Sequence, residues 1–468
     1  MLTNNHPARE SVPDCSPRDT IPHQRYSAMT IRKKLVKPLT ATVLALSLLP
    51  LASTAQNTVG HSGISPLPLD SISTFARVFE TIKNNYVEEV TDEELLRNAI
   101  EGMVEGLDPH SALLDSQEMS DVETETTGRY GGLGIEVTKE NGGIRVISPI
   151  DGTPAFDAGI LPGDLIIQLD DHLTSRMNLI EAVNSMRGQP GTDITLIVLR
   201  QGVDVPLEFT LTRAVIRIKS VHSFILEPGF GYLRITQFQT TTPELTRIQI
   251  KKLITDSISL DGLVMDLRNN PGGELHSAVG VSDVFIDNGL IVSTRSRNNR
   301  HVSEFRSTPG DAIEGVPLVV LVNEGSASAS EIVAGALQDH KRAIIMGENT
   351  FGKGSVQTIV RLNEDTALKL TTDRYYTPNN RSIQASGIVP DITVEWREVE
   401  EPDEQNESMT FRESNLEDSL ENENAVSPDE LDNQLPSTQV NPAVKRDYQL
   451  LQALNLLKGL RISGSFSS

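Results

Sequence analysis

Cysteine is almost missing from this chain of 468 residues: Cys15 is the only one. An intrachain disulfide is therefore excluded, and the folded part must be held by its core. Basic residues are outnumbered, with 41 Lys and Arg against 64 Asp and Glu, for a net charge of -23. Phosphate binding needs clustered cations, so nucleic acid is excluded as a partner. No apolar run reaches the ~20 residues that cross a bilayer. There is no internal repeat of fixed period and no clustered Cys/His/Asp metal motif, and neither a metal nor a cofactor is implied. Hydrophobic residues still make up 38%, with 33 glycines, an ordinary globular share. The length suggests roughly two to four domains.

Near the start, Arg32, Lys33, Lys34 and Lys37 precede an apolar run at 39–51 and then Ser53, Thr54 and Ala55. That order reads as a secretory signal peptide within residues 1–55, with small residues at the cleavage site. An uncleaved anchor is the alternative, and no cysteine follows to accept lipid. The residues before Met29 are polar and rich in proline, which makes Met29 a second candidate start. Export across the inner membrane to the periplasm or cell envelope is the expectation.

Beyond the signal, the pattern divides into five parts and predicts a mixed α/β, multidomain chain. Residues 69–118 form a helical region: Phe75, Val78, Phe79 and Ile82, then Leu95, Leu96, Ile100, Met103 and Leu107, recur at helical spacing up to about Leu114. Asp92 is the expected N-cap of the second run. Residues 128–213 alternate short β-branched runs with Gly and Pro turns, a small β module. Residues 219–396 alternate strands such as "GLVMDL" and "PLVVLV" with helical stretches, an α/β core. Residues 397–440, past the sole tryptophan Trp396, read as a flexible acidic linker. The last part, 441–468, holds a helix whose Leu450, Leu451, Leu454 and Leu457 make one face in need of a docking surface.

Three stretches carry chemistry. In "YGGLGIEV", 130–137, a Gly-flanked loop enters a strand, so that its free N–H groups can hold a peptide carboxylate while the strand edge pairs with the peptide. With "AGILPGDLI" it resembles a PDZ domain, which implies carboxylate capture at Leu133, Gly134 and Ile135 and a groove closed by a helix over 179–186. In "NEGSASASEIVAGAL", 323–337, a strand runs into a helix N-terminus, where free N–H groups favour a developing oxyanion. Close packing and helix capping are the competing reading, and spacing alone does not choose among Ser326, Ser328 and Ser330. In "GENTFGKGSVQT", 347–358, the glycines and Lys353 imitate a P-loop, but Gly354 stands where Ser or Thr is required and a strand follows. Nucleotide binding is rejected. Lys353, shielded from water, can instead lose its proton and act as a general base.

The order of these motifs, with "GYLRITQF", "MDLRNNPGG" and "YYTPNNRSIQASGIVPDITV", resembles the carboxyl-terminal processing serine proteases over about 69–394. The resemblance implies a serine-type endopeptidase that cleaves proteins near accessible C-terminal tails. It implies Ser328 as nucleophile, Lys353 as base, Gln357 orienting the lysine amine, and an oxyanion hole from Ala329 and Gly272 or Gly273. It also implies dimerisation through the terminal helices. Arg187, at the end of the PDZ helix, is the candidate regulatory residue that links tail binding to catalysis. The rival readings are a catalytically inactive PDZ binding or adaptor protein of the cell envelope and an envelope scaffold; an envelope adaptor or membrane association is a further partner expectation. A Ser/His/Asp triad with Asp339 and His340 fails because they lie about 15 Å down the helix from Ser328. His110, in "LDPHSALL", is read as structural.

Overall fold

A computed structural model describes residues 68–140, 142–257, 259–397 and 446–465. The expected signal peptide lies outside the described residues, as does the acidic linker beyond Arg397. The chain divides into two units at Thr74 and Phe75; apart from the first residues of the helix that crosses this division, everything that follows concerns the second. No helix among the described residues is long and apolar enough to cross a membrane.

The helical region begins with Leu69–Asn85 and Asp92–Glu105. The N-cap of the second helix is Thr91, whose hydroxyl accepts the Glu94 N–H at 3.2 Å, and not Asp92, one residue later. Three acidic residues then occupy the first turn, where the helix dipole favours them. The helical reading up to Leu114 overruns. The helix stops at Glu105, and Ala112–Leu114 is a strand, antiparallel to Ala367–Tyr376 with Ala112 opposite Lys369. A three-residue strand carries no periodicity of its own. A helix over Ser116–Thr127, opened by an Asp115/Glu118 capping box, ends at Gly128 in the left-handed region, φ 67°.

The strands Arg129–Gly132 and Ala214–Arg217 pair with each other and clasp the two ends of the β module. Inside it is a six-stranded sheet: five strands run in the spatial order Ile135–Glu140, Gly143–Pro149, Leu165–Leu169, Asp193–Leu199 and Leu207–Thr212, and the short strand His172–Leu173 pairs with Leu165–Leu169. Ile144, Val146, Ile166, Leu196 and Val198 form its core, against Ala182 and Met186 of the helix Leu179–Met186.

The larger core is built on a six-stranded sheet. Its spatial order is Val221–Glu227, Phe230–Ile235, Gly262–Asp266, Leu318–Val322, Ile344–Gly347 and Ile392–Thr393, all parallel neighbours except the first pair. The two central strands are buried throughout and apolar except for Asp266, as strands covered on both faces must be. Leu263, Met265, Leu318, Val320 and Val322 face the helices Thr242–Asp256, Leu275–Asp283 and Ala329–Asp339. Their neighbours Val264, Val319 and Leu321 point the other way, to Leu450, Ala453, Leu454 and Leu457 of the tail helix Tyr448–Ser465. The face read from leucine spacing thus docks on the chain's own sheet. Arg268 fastens that docking, donating to Asp266 and Asp447, each at 2.6 Å, and to Gln449 at 2.9 Å. A second sheet joins Ser355–Arg361, Ala367–Tyr376, Leu290–Ser296 and Val302–Arg306 with the strand Ala112–Leu114.

Candidate active site

The strand Leu318–Val322 ends at a tight turn, and the helix Ala329–Asp339 starts directly after Ser328. Ser328 sits at φ 56°, ψ -112°, a conformation that costs a non-glycine residue on the order of 1–3 kcal/mol. The turn has the strand-to-helix form of a nucleophile elbow without the flanking glycines of the lipase pattern. The neighbouring serines hold it in place. Ser326 and Ser330 are fully buried and donate to the carbonyls of Leu267 and Asn270, both at 2.8 Å. Of the three serines, Ser328 is the one whose side chain faces a cavity, so geometry separates residues that spacing left equivalent.

Glu331, fully buried one turn into the helix, ties this elbow to the lysine turn. One carboxylate oxygen accepts the backbone N–H groups of Ser328 at 2.7 Å and Lys353 at 2.9 Å. The other accepts the Gly352 N–H at 2.7 Å and the Thr350 hydroxyl at 2.6 Å. A single side chain therefore fixes the backbone of both chemically interesting residues.

Ser328, Lys353 and Gln357 line one cavity of about 650 Å³, together with His110, Lys369 and Tyr375. Lys353 is half-buried. Burial, and then the positive charge of Lys369, push its ammonium below the ordinary lysine range, against the smaller pull of Asp108 and Glu331. In this conformation the Ser328 hydroxyl pairs with the Tyr375 hydroxyl at 2.9 Å rather than with Lys353. Burial lifts the Tyr375 phenol well above the usual tyrosine range, so it stays a neutral hydrogen-bonding group. Burial and the Lys353 charge also lower His110. Gln357 donates its amide N–H groups to Ser355 Oγ at 3.0 Å and Thr371 Oγ1 at 3.2 Å.

The loop "NNPGG" closes against the elbow. A Cβ on Gly272 would lie 2.7 Å from the Ala327 carbonyl and 2.8 Å from Ser328 Cβ, so only glycine permits the approach. Of the three amides named for an oxyanion hole, that of Gly272 already donates to Asn270 Oδ1 at 2.9 Å. Those of Gly273 and Ala329 meet no acceptor among the described residues.

In the β module, Leu133, Gly134 and Ile135 line a separate cavity of about 220 Å³ with Val183 and Met186 of the neighbouring helix. The strand Ile135–Glu140 pairs on one side only and leaves an open edge beside that helix. Arg187 borders the same cavity. Its guanidinium donates to Asp121 at 2.9 Å and lies over the Tyr130 ring, 5.2 Å from the centroid. Asp339 and His340 are engaged away from Ser328: Asp339 accepts from Arg381 and the Asn379 N–H, and His340 Nε2 meets the Leu290 carbonyl at 2.7 Å. Sequence reasoning missed Glu331, Tyr375 and Lys369 and set His110 aside as structural, although "SASASE" and "LDPHSALL" were already in view.

The model of peptidase family S41 matches residues 229–394, that of the PDZ domain 131–211, and that of the N-terminal domain of the activating protease CtpB 50–118. A carboxy-terminal-processing protease of Bartonella bacilliformis is 50% identical over 328 residues, 69% of this chain and 75% of its own. A carboxyl-terminal-processing protease of Synechocystis is 36% identical over 322 residues, 67% of this chain and 74% of its own. A carboxy-terminal processing protease of Bacillus subtilis is 35% identical over 327 residues, 68% of each.

Proposed function

Because this chain belongs to the carboxy-terminal-processing proteases of peptidase family S41 and is a serine-type peptidase that cleaves proteins near their C-termini, we propose that Ser328 and Lys353 form its catalytic dyad. The observation that carries the reading is the depressed lysine in the cavity of a strained, helix-capping serine. Neutral Lys353 takes the Ser328 proton as the oxygen, leaving Tyr375, attacks the scissile carbonyl. The amides of Ala329 and Gly273 receive the developing oxyanion, aided by the helix N-terminus. The lysine ammonium then protonates the departing amine, and the neutral amine activates the water that hydrolyses the acyl-serine ester. Gln357 steadies the lysine amine.

The PDZ module takes the substrate's C-terminal tail: its carboxylate meets the N–H groups of the Leu133 to Ile135 loop, and its backbone extends the open strand edge. Arg187 links the filled groove to the protease core. The expected signal segment supports a site of action in the periplasm or cell envelope. Self-association through the terminal helices and an envelope adaptor belong to the same reading.

The test is cleavage of an unstructured, apolar-tailed protein by the mature enzyme and its variants. Ser328→Ala and Lys353→Ala should each abolish turnover without changing the melting temperature, and the double variant should be no worse than either, as for a pair acting as one unit. Near-normal turnover by either single variant rejects the dyad.

A further inference from the structure

A hydrogen-bond chain that starts in the N-terminal region reaches the amide of Gln357. Asp108 lies in the loop between the helix Asp92–Glu105 and the strand Ala112–Leu114. Pairing of that strand with Ala367–Tyr376 lays the loop against Thr371, which stands opposite Gln357 in the next ladder. Asp108 Oδ1 accepts the backbone N–H groups of His110 at 2.9 Å and Ser111 at 3.0 Å, and meets Thr371 Oγ1 at 3.1 Å. Asp108 Oδ2 accepts the Ser111 hydroxyl at 2.8 Å.

The direction of each bond follows from chemistry. An oxygen that already accepts two backbone N–H groups has no proton to give, so the Thr371 hydroxyl must donate to Asp108. Its one proton is then committed, and toward Gln357 it can only accept. The amide group that faces Thr371 is therefore the NH₂, which also reaches Ser355. The Gln357 carbonyl is left as the free end, and Gln357 lines the cavity that also holds Lys353.

We propose that Asp108 and Thr371 are positioning residues for catalysis: through the Thr371 hydroxyl, Asp108 sets the orientation of the Gln357 amide so that its carbonyl faces the Lys353 amine. The lysine then donates an N–H hydrogen bond to the Gln357 carbonyl and turns its lone pair to Ser328. Were the amide reversed, its NH₂ would donate into that lone pair and block the base. The region ahead of the PDZ domain is by this argument part of the active site. The proposal rests on the lysine-base reading above.

The test uses the full mature enzyme with Thr371→Val, which keeps the side-chain shape and removes the hydroxyl, and Thr371→Ser, which restores it. The valine variant should lose about tenfold in kcat with KM held within about twofold. The acid limb of its kcat/KM profile should move to lower pH, because losing the carbonyl acceptor, or gaining an NH₂ donor, disfavours the ammonium. A slower enzyme with a lower base pKa is an outcome that general loosening does not produce. The other charged groups around Lys353, namely Lys369, Asp108, Glu331 and His110, are unchanged in both variants. Thr371→Ser should return rate and profile to within about twofold of the parent. Should the valine variant fail to fold, Thr371→Ala carries the same comparison. Parental kcat without the hydroxyl, an unmoved acid limb, or a rate that follows melting temperature across the set overturns the proposal. If Lys353→Ala is inactive while Thr371→Val is unimpaired, only this proposal falls; an active Lys353→Ala removes the reading beneath it.

Discussion

A serine at φ 56° must be held there by something stronger than its own preference, and at Ser328 the holder is the buried Glu331 carboxylate. Both of its oxygens face groups that donate, two on each side. Glu331→Gln must turn an NH₂ toward one of these pairs and leave a buried N–H unpaired, at a cost of about 1–3 kcal/mol. The elbow and the lysine turn should relax together, so kcat should fall further than the lost stability explains; melting curves and turnover measured side by side check this. Lys369 permits a test of sign. On the proposed mechanism Lys353 must be neutral to act as base, so kcat/KM should rise as pH passes its pKa. Lys369 adds to burial in holding that pKa down. Lys369→Met should therefore move the acid limb to higher pH and lower activity near neutrality, while the high-pH plateau stands. A limb that stays or moves down contradicts the assigned cause. Ser328 and Lys353 each sit in a distinctive local string, although spacing alone leaves Ser328 level with Ser326 and Ser330. Thr371 and Asp108 were not legible, since 263 residues separate them and only strand register brings them together.

Elements with a strong period read well, and those without one did not. The near-continuous apolar runs in "GLVMD" and "LVVLV" mark a sheet covered on both faces, and the tail leucines mark the helix that covers one of them. The strand Ala112–Leu114 left no such mark, yet it carries the N-terminal region to the cavity lined by Ser328 and Lys353. In the PDZ module the loop ahead of Ile135 depends on Gly134 at φ 75°, where a Cβ would fall 2.4 Å from Thr153. That contact is too short to absorb, because Thr153 itself donates to the carbonyls of Gly134 and Ile150. Gly134→Ala should displace the loop N–H groups and weaken binding of a free-acid, apolar-ended peptide by about tenfold or more, toward the level of the same peptide amidated at its end. Fluorescence titration with both peptides decides it; equal binding by acid and amide means that the loop does not capture a carboxylate.

At the scale of the whole chain, the question is which terminal helix is free to meet another copy. Leu450, Ala453, Leu454 and Leu457 are buried against Tyr232, Val264, Val319 and Leu321, and Arg268 joins Asp447 and Gln449 to Asp266. Arg268 stands two residues ahead of Asn270, which braces Gly272, so the tail helix also supports the loop beside Ser328. The leucine face thus has its partner in the same chain. The N-terminal helices differ: Phe75, Val78, Ile100 and Met103 are all more than two-fifths exposed. If self-association occurs, these faces carry it. A chain stopped at Arg397 should keep its number of subunits in light scattering but uncover the sheet and leave Arg268 without two of its partners. Each buried leucine removed is worth about 2–5 kcal/mol when truncated to alanine, so the melting temperature should fall by at least about 5 °C. Val78→Glu should do the reverse, since the residue touches no core: melting unchanged, mass reduced. A smaller assembly after truncation at Arg397, with Val78→Glu indistinguishable from the parent, would assign association to the tail helix and show that its seat on the sheet is exchanged between copies.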